Sequence, residues 1–160
     1  MSILQTNDIL YKIKTVLSLS TEEMFKAYEL EDYKMKQEHL NSLLKKRQDK
    51  DFHLCSYEEL GVFLDGLVTL KRGPSPKKQG EDETVELTNN LILKKLRIAL
   101  ELKEPETEIV FGLGDISLTK QELKSLFRKE GHKNFKPCSD EILNGFLEGL
   151  NEFYYVGEEI

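Results

Sequence analysis

A chain of 160 residues with a formal net charge of −6 and a pI near 5.2 is a poor candidate for coating nucleic acid or an acidic membrane. Apolar content of 39% against 32% charged residues places it among globular proteins that bury a core. Two cysteines make no disulfide framework, no apolar run approaches the roughly 18 residues of a membrane helix, and Met1-Ser-Ile-Leu-Gln-Thr-Asn-Asp8 lacks the pattern of a secretory signal, so the cytoplasm is the expected location.

Taken in order, the chain opens with a helix. Thr6 or Asn7 is suited to accept hydrogen bonds from its free first-turn amides, and Ile9, Leu10, Ile13, Val16 and Leu17 form its apolar stripe. Ser20-Thr-Glu-Glu23 is a capping box that starts a second helix carrying Met24, Phe25 and Tyr28 and fading near Leu30. A third helix is expected from about Lys36 to Arg47, with Leu40, Leu43 and Leu44 inward and Lys45, Lys46 and Arg47 at the negative end of the helix dipole. Ser56-Tyr-Glu-Glu59 is a further capping box, and Leu60, Phe63, Leu64 and Leu67 then fall at i, i+3, i+4 and i+7.

Gly73-Pro-Ser-Pro-Lys-Lys-Gln-Gly-Glu-Asp-Glu83 holds no apolar side chain and reads as an exposed linker, placed at residues 74–87. Residues 1–73 and 88–160 flank it, and neither half is basic. In the second half, Asn90, Ile92, Leu93, Leu96, Ala99 and Leu100 mark a first helix. Glu108-Ile-Val-Phe-Gly-Leu-Gly-Asp115 looks like a strand and turn by local propensity. Thr119-Lys-Gln-Glu122 caps the next helix, with Leu123, Leu126 and Phe127 inward and Gly131 as its expected stop. Ser139 caps the last, which carries Leu143, Phe146, Leu147 and Leu150 and is expected to run to about Tyr155.

The two halves are copies. Phe52, Cys55, Phe63 and Gly66 match Phe135, Cys138, Phe146 and Gly149, each pair at the same offset of 83 residues. The same offset sets Val110, Phe111 and Leu113 against Ala27, Tyr28 and Leu30, which makes residues 105–115 helical in spite of their propensity, with Pro105 early in that helix. The expected architecture is therefore all-α: two tandem four-helix repeats packed on each other across a short linker, as a pseudo-twofold or a side-by-side stack.

Thr6-Asn-Asp-Ile-Leu10, Phe63-Leu-Asp-Gly-Leu67 with Lys71-Arg-Gly73, Asn89-Asn-Leu-Ile-Leu-Lys-Lys-Leu-Arg-Ile-Ala-Leu100, His132-Lys-Asn-Phe135 with Cys138, and Phe146-Leu-Glu-Gly-Leu150 together carry a resemblance. The chain resembles a bacterial family of unknown function, the YehS-like proteins. That resemblance implies two tandem copies of one helical domain and brings no chemistry with it.

Cys55 and Cys138 precede a helix-capping serine, a place where a thiol pKa falls, but small buried residues beneath a helix start would look the same. His53 and His132 do not correspond, so neither supplies a repeated base, and His53-Leu-Cys55 has no second ligand pair at zinc-site spacing. Gly66 and Gly149 interrupt otherwise regular helices and point to close approach of another helix. Lys94, Lys95 and Arg97, with Lys12 and Lys14 in the first copy, are the candidate binding residues; a solvated helix face is the plainer explanation. Asp32 and Asp115, Asp65 and Glu148, and Glu58 and Glu141 recur as pairs, with capping and dipole chemistry sufficient for Glu58, Asp140 and Glu141. The expectation is a non-enzymatic binding or scaffold protein with no catalytic residue, metal or cofactor; its partner is not identified by the sequence, a protein being one candidate and a membrane not among them. The alternatives are nucleic-acid or phosphate binding through the basic first helices, and an enzyme using Cys138 or the paired carboxylates.

Overall fold

A computed structural model describes residues 4–74 and 86–158. Most of the linker expected at 74–87 lies outside the described residues. Those residues form eight helices and no strand: α1 (Thr6–Val16), α2 (Thr21–Leu30), α3 (Gln37–Leu43) and α4 (Tyr57–Arg72), then α5 (Asn89–Ala99), α6 (Glu104–Leu113), α7 (Lys120–Leu126) and α8 (Asp140–Glu158). The strand-like residues of the second half are helical, as the offset of 83 requires, and Pro105 sits in the first turn of α6.

Capping boxes start α2, α4 and α7. Ser20, Ser56 and Thr119 each accept the amide of a glutamate three residues on, and that glutamate accepts theirs. Three expectations fail locally. Thr6 and Asn7 do not cap α1; Gln5 holds that position, its amide bonded to Asp8 at 3.1 Å, and both residues point inward. Helix α3 stops at Leu43 rather than Arg47, because the Leu43 carbonyl is taken by the Asn7 side chain, so Lys45 to Arg47 lie beyond the helix. Helix α7 stops at Leu126, five residues before Gly131, for the same reason in the second repeat, where Asn90 takes the Leu126 carbonyl.

Helices α1, α2, α5 and α6 end without a glycine in the left-handed position. Ser18, Asp32, Glu101 and Asp115 occupy the left-handed region at φ 53–61°. The next residue's amide reaches back to Lys14, Tyr28, Arg97 or Phe111 at 2.9–3.0 Å, and its apolar side chain (Leu19, Tyr33, Leu102 or Ile116) folds inward. Asp32 and Asp115 therefore recur as turn residues, a conformation that aspartate tolerates.

One continuous core runs through both repeats. Its centre is α4 and α8, whose Leu60, Phe63, Leu64 and Leu67, and Leu143, Phe146, Leu147 and Leu150, are at most 1% exposed. Each packs against the second helix of its own repeat, α2 on α4 and α6 on α8. The contact is backbone to backbone: a Cβ at Gly66 would overlap the Ala27 carbonyl, and one at Gly149 the Val110 carbonyl. Between repeats α4 meets α5 and α8 meets α1, the same contact with the repeats exchanged. The arrangement is a pseudo-twofold.

Gly66→Ala is expected to lower the melting temperature by about 10 °C, corresponding to about 3 kcal/mol of overpacking. Gly61 in the same helix has open space where a Cβ would go. Gly61→Ala is expected to raise it by about 3 °C through helix propensity alone. Thermal melts followed by circular dichroism separate the two effects.

Candidate functional site

The basic residues of the two first helices do not gather on one face. Lys12 Nζ lies 2.7 Å from Glu148 Oε1, and Lys95 forms an ion pair with Asp65. Lys12 corresponds to Lys95 and Glu148 to Asp65, so the two pairs are one interaction repeated across the pseudo-twofold. Each joins a first helix to the fourth helix of the other repeat. Arg97 sits over the Phe127 ring at 4.6 Å and donates from Nε to the Leu102 carbonyl at 3.0 Å, bracing its own repeat. Lys94 is exposed and Lys14 half-buried.

The duplicated cysteines mark a structural junction. Asn7 Nδ2 donates to the carbonyls of Leu43 and His53 at 3.0 and 2.8 Å, while its Oδ1 accepts the Cys55 amide at 2.9 Å. Asn90 makes the same three bonds to Leu126, Lys136 and Cys138 at 2.9, 2.8 and 2.9 Å. The residue before each asparagine adds a fourth: Thr6 donates to the Cys55 carbonyl and Asn89 to that of Cys138. Each clamp ties the start of a first helix to the chain between third and fourth helices. Burial pushes both thiols up to about 12, with Glu59 adding to the effect at Cys55 and Asp140 at Cys138. Burial at both thiols works against the lowered pKa that activates a cysteine nucleophile.

Repeat one holds a polar junction that repeat two does not copy. The buried Glu59 accepts the Ser56 amide at 2.9 Å and meets His39 Nε2 at 2.5 Å, and the His53 ring stands edge-on to His39 at 5.3 Å between centroids. The equivalent positions are Glu122, Lys136 and Ile142, where Glu122 and Lys136 pair at 3.4 Å nearer the surface. Burial raises the Glu59 carboxyl, but the Ser56 amide and His39 outweigh it and hold the group below its ordinary value. Among the described residues no group of three His, Cys, Asp or Glu side chains is placed to hold a metal ion.

Among the described residues a concave feature of the surface lies between α1 and α8. It is an open groove of about 1050 Å³ floored by Leu4, Val16 and Leu147 and walled by Tyr11 on one side and Asn144 and Asn151 on the other. Its counterpart across the pseudo-twofold, between α5 and α4, is more extensively packed. There Arg72 clips the helices together, donating to the Ile98 carbonyl at 3.0 Å and pairing with Glu101 at 3.7 Å. Position 18, which corresponds to Glu101, is serine, so that ion pair has no copy at the groove. The groove was not legible in the sequence, because it depends on the packing of helices more than 120 residues apart.

Asn90→Leu strands two carbonyls and an amide, and is expected to cost about 3 kcal/mol, readable as a fall of about 10 °C in melting temperature. For Glu59 the folded carboxyl titrates below the unfolded one, so its contribution is present above the ordinary value of 4.5 and is lost as pH falls through the folded value. Glu59→Gln is expected to flatten the acid limb of stability against pH below about 5. Denaturant titrations at several pH values would read this out, and an unchanged limb would exclude the coupling.

The described residues contain no helix long and apolar enough to cross a membrane. The Escherichia coli (strain K12) protein named "Uncharacterized protein YehS" is 30% identical to this chain over 145 residues, covering 91% of this chain and 93% of that protein. No solved structure matches. The family described as "Protein of unknown function (DUF1456)" matches residues 6–73 and 89–154, one stretch in each repeat, and the chain belongs to that family.

Proposed function

We propose that the protein is a cytoplasmic, non-enzymatic binding or scaffold protein, and that its binding surface is the groove between α1 and α8. One observation carries this reading: two contacts equivalent by the duplication are built differently, one packed and clipped by Arg72, the other left open. The groove is at the upper end of small-molecule site volumes and is open to solvent, which suits a chain segment better than an enclosed metabolite. The duplicated groups that suggested chemistry have structural work. The cysteines flank the asparagine clamps, Asp32 and Asp115 form turns, and Asp65 and Glu148 join the repeats.

The nucleic-acid or phosphate reading has less to stand on, since Lys12, Lys95 and Arg97 are already engaged within the molecule. The two readings separate by selection of binders from a random peptide library. Selected peptides are expected to lose binding to Tyr11→Ala and Asn144→Arg variants and to keep it with Lys94→Ala. Binders indifferent to the groove variants would overturn the assignment.

A further inference from the structure

We infer that the occupant of the α1–α8 groove is a basic peptide segment carrying at least one large apolar side chain; this rests on the proposed binding role of the groove. The charge ledger of the groove selects the sign of the partner. Its lining holds Asp8, Asp140, Glu141 and Glu148 against Lys12 and Arg47. Both cations are already committed, Lys12 to Glu148 at 2.7 Å and Arg47 to Asp8 at 3.4 Å. Asp140 and Glu141 are left without a cation of the groove. Asp140 accepts the Leu4 amide at 3.3 Å and the Asn89 side chain at 2.8 Å, which are neutral donors that leave its charge in place. The start of α8 favours both carboxylates but supplies only about half a positive charge against two negative ones.

Two of these carboxylates are particular to this groove. At the packed counterpart, Asp8 and Asp140 are replaced by Leu91 and Tyr57. A second hollow adjoins the groove, shares Glu141 and Glu148 with it, and adds Asp115, while its Lys136 is paired with Glu122. The acidic character therefore continues along α8 for more than the length of one side chain. Beside it, Tyr11 is 54% exposed and Leu4 half-buried above the almost wholly covered Val16 and Leu147, a seat for an apolar anchor. A lysine- or arginine-bearing segment with a Leu-like anchor satisfies both features, whereas a nucleic acid or an acidic peptide meets the wrong sign.

The test uses the full chain and two fluorescein-labelled dodecapeptides, one of lysine, arginine and leucine, the other with glutamate in place of every basic residue. Polarisation at low salt is expected to show binding of the basic peptide alone. Glu141→Lys and Tyr11→Ala should each weaken it at least about tenfold, and Glu108→Lys, an exposed reversal on α6, should leave it within about twofold. Equal loss from Glu108→Lys would mean attraction to the net charge of the whole chain and would overturn the inference. Preferential binding of the acidic peptide that still depends on Tyr11 would overturn the basic occupant and leave the groove as a binding site. Basic-peptide binding insensitive to both groove variants would overturn the groove itself. Melting curves matching the parent verify that the surface variants are folded.

Discussion

Short helices leave their terminal amides and carbonyls unpaired, and that is the difficulty around which this fold is built. Helices α3 and α7 have seven residues each, so their free ends are a large fraction of their backbone groups. A single asparagine in each repeat takes the last carbonyl of that helix with one amide hydrogen, and a carbonyl and an amide of the following loop with its other hydrogen and its oxygen. The first helix supplies it from the inside of its opening turn, which is why that position cannot also serve as the cap. The asparagine thereby fixes where the third helix stops and how the fourth is entered. The buried cysteine, the capping serine and the apolar face of the fourth helix follow within a few residues.

The close approach of second and fourth helices depends on that entry. Once α4 and α8 are aimed, Gly66 and Gly149 let a neighbouring backbone carbonyl occupy the space of a missing side chain. Repeat two goes further, since a Cβ at Gly114 would meet the Gly145 backbone and one at Gly145 would meet Ile116. The corresponding positions in repeat one are Glu31 and Val62. The α6–α8 contact therefore has two levels of glycine contact where α2–α4 has one. The duplication preserved the clamp and varied the fit around it.

Much of this was legible in the sequence where the signal is local or repeated. Ser20, Ser56 and Thr119 announce their helices by spacing, and the offset of 83 overrules the strand-like Glu108–Asp115 stretch. Tertiary hydrogen bonds erase other signals. Thr6 and Asn7 have the chemistry of caps, but the inside of the fold claims them. Gly131 has a positive φ suited to a helix stop, yet α7 has already ended where Asn90 takes the Leu126 carbonyl. The basic residues were legible as a repeated set, but not the carboxylates they face, which belong to the other repeat and are visible only once the pseudo-twofold is known. The His39–Glu59 contact was hidden for the opposite reason: it does not recur, and a duplication points only at what does.

The unequal helix contacts also bear on valency. A symmetric dimer of identical four-helix units would present two equal grooves and could bridge two partners or two parts of one. Joining the units in one chain allowed their surfaces to diverge, with Arg72 closing one side and the other left open. With the groove in its proposed binding role, the molecule keeps the shared core of a dimer with one such seat among the described residues, and its complexes are expected to be one-to-one and polar, with a defined front and back.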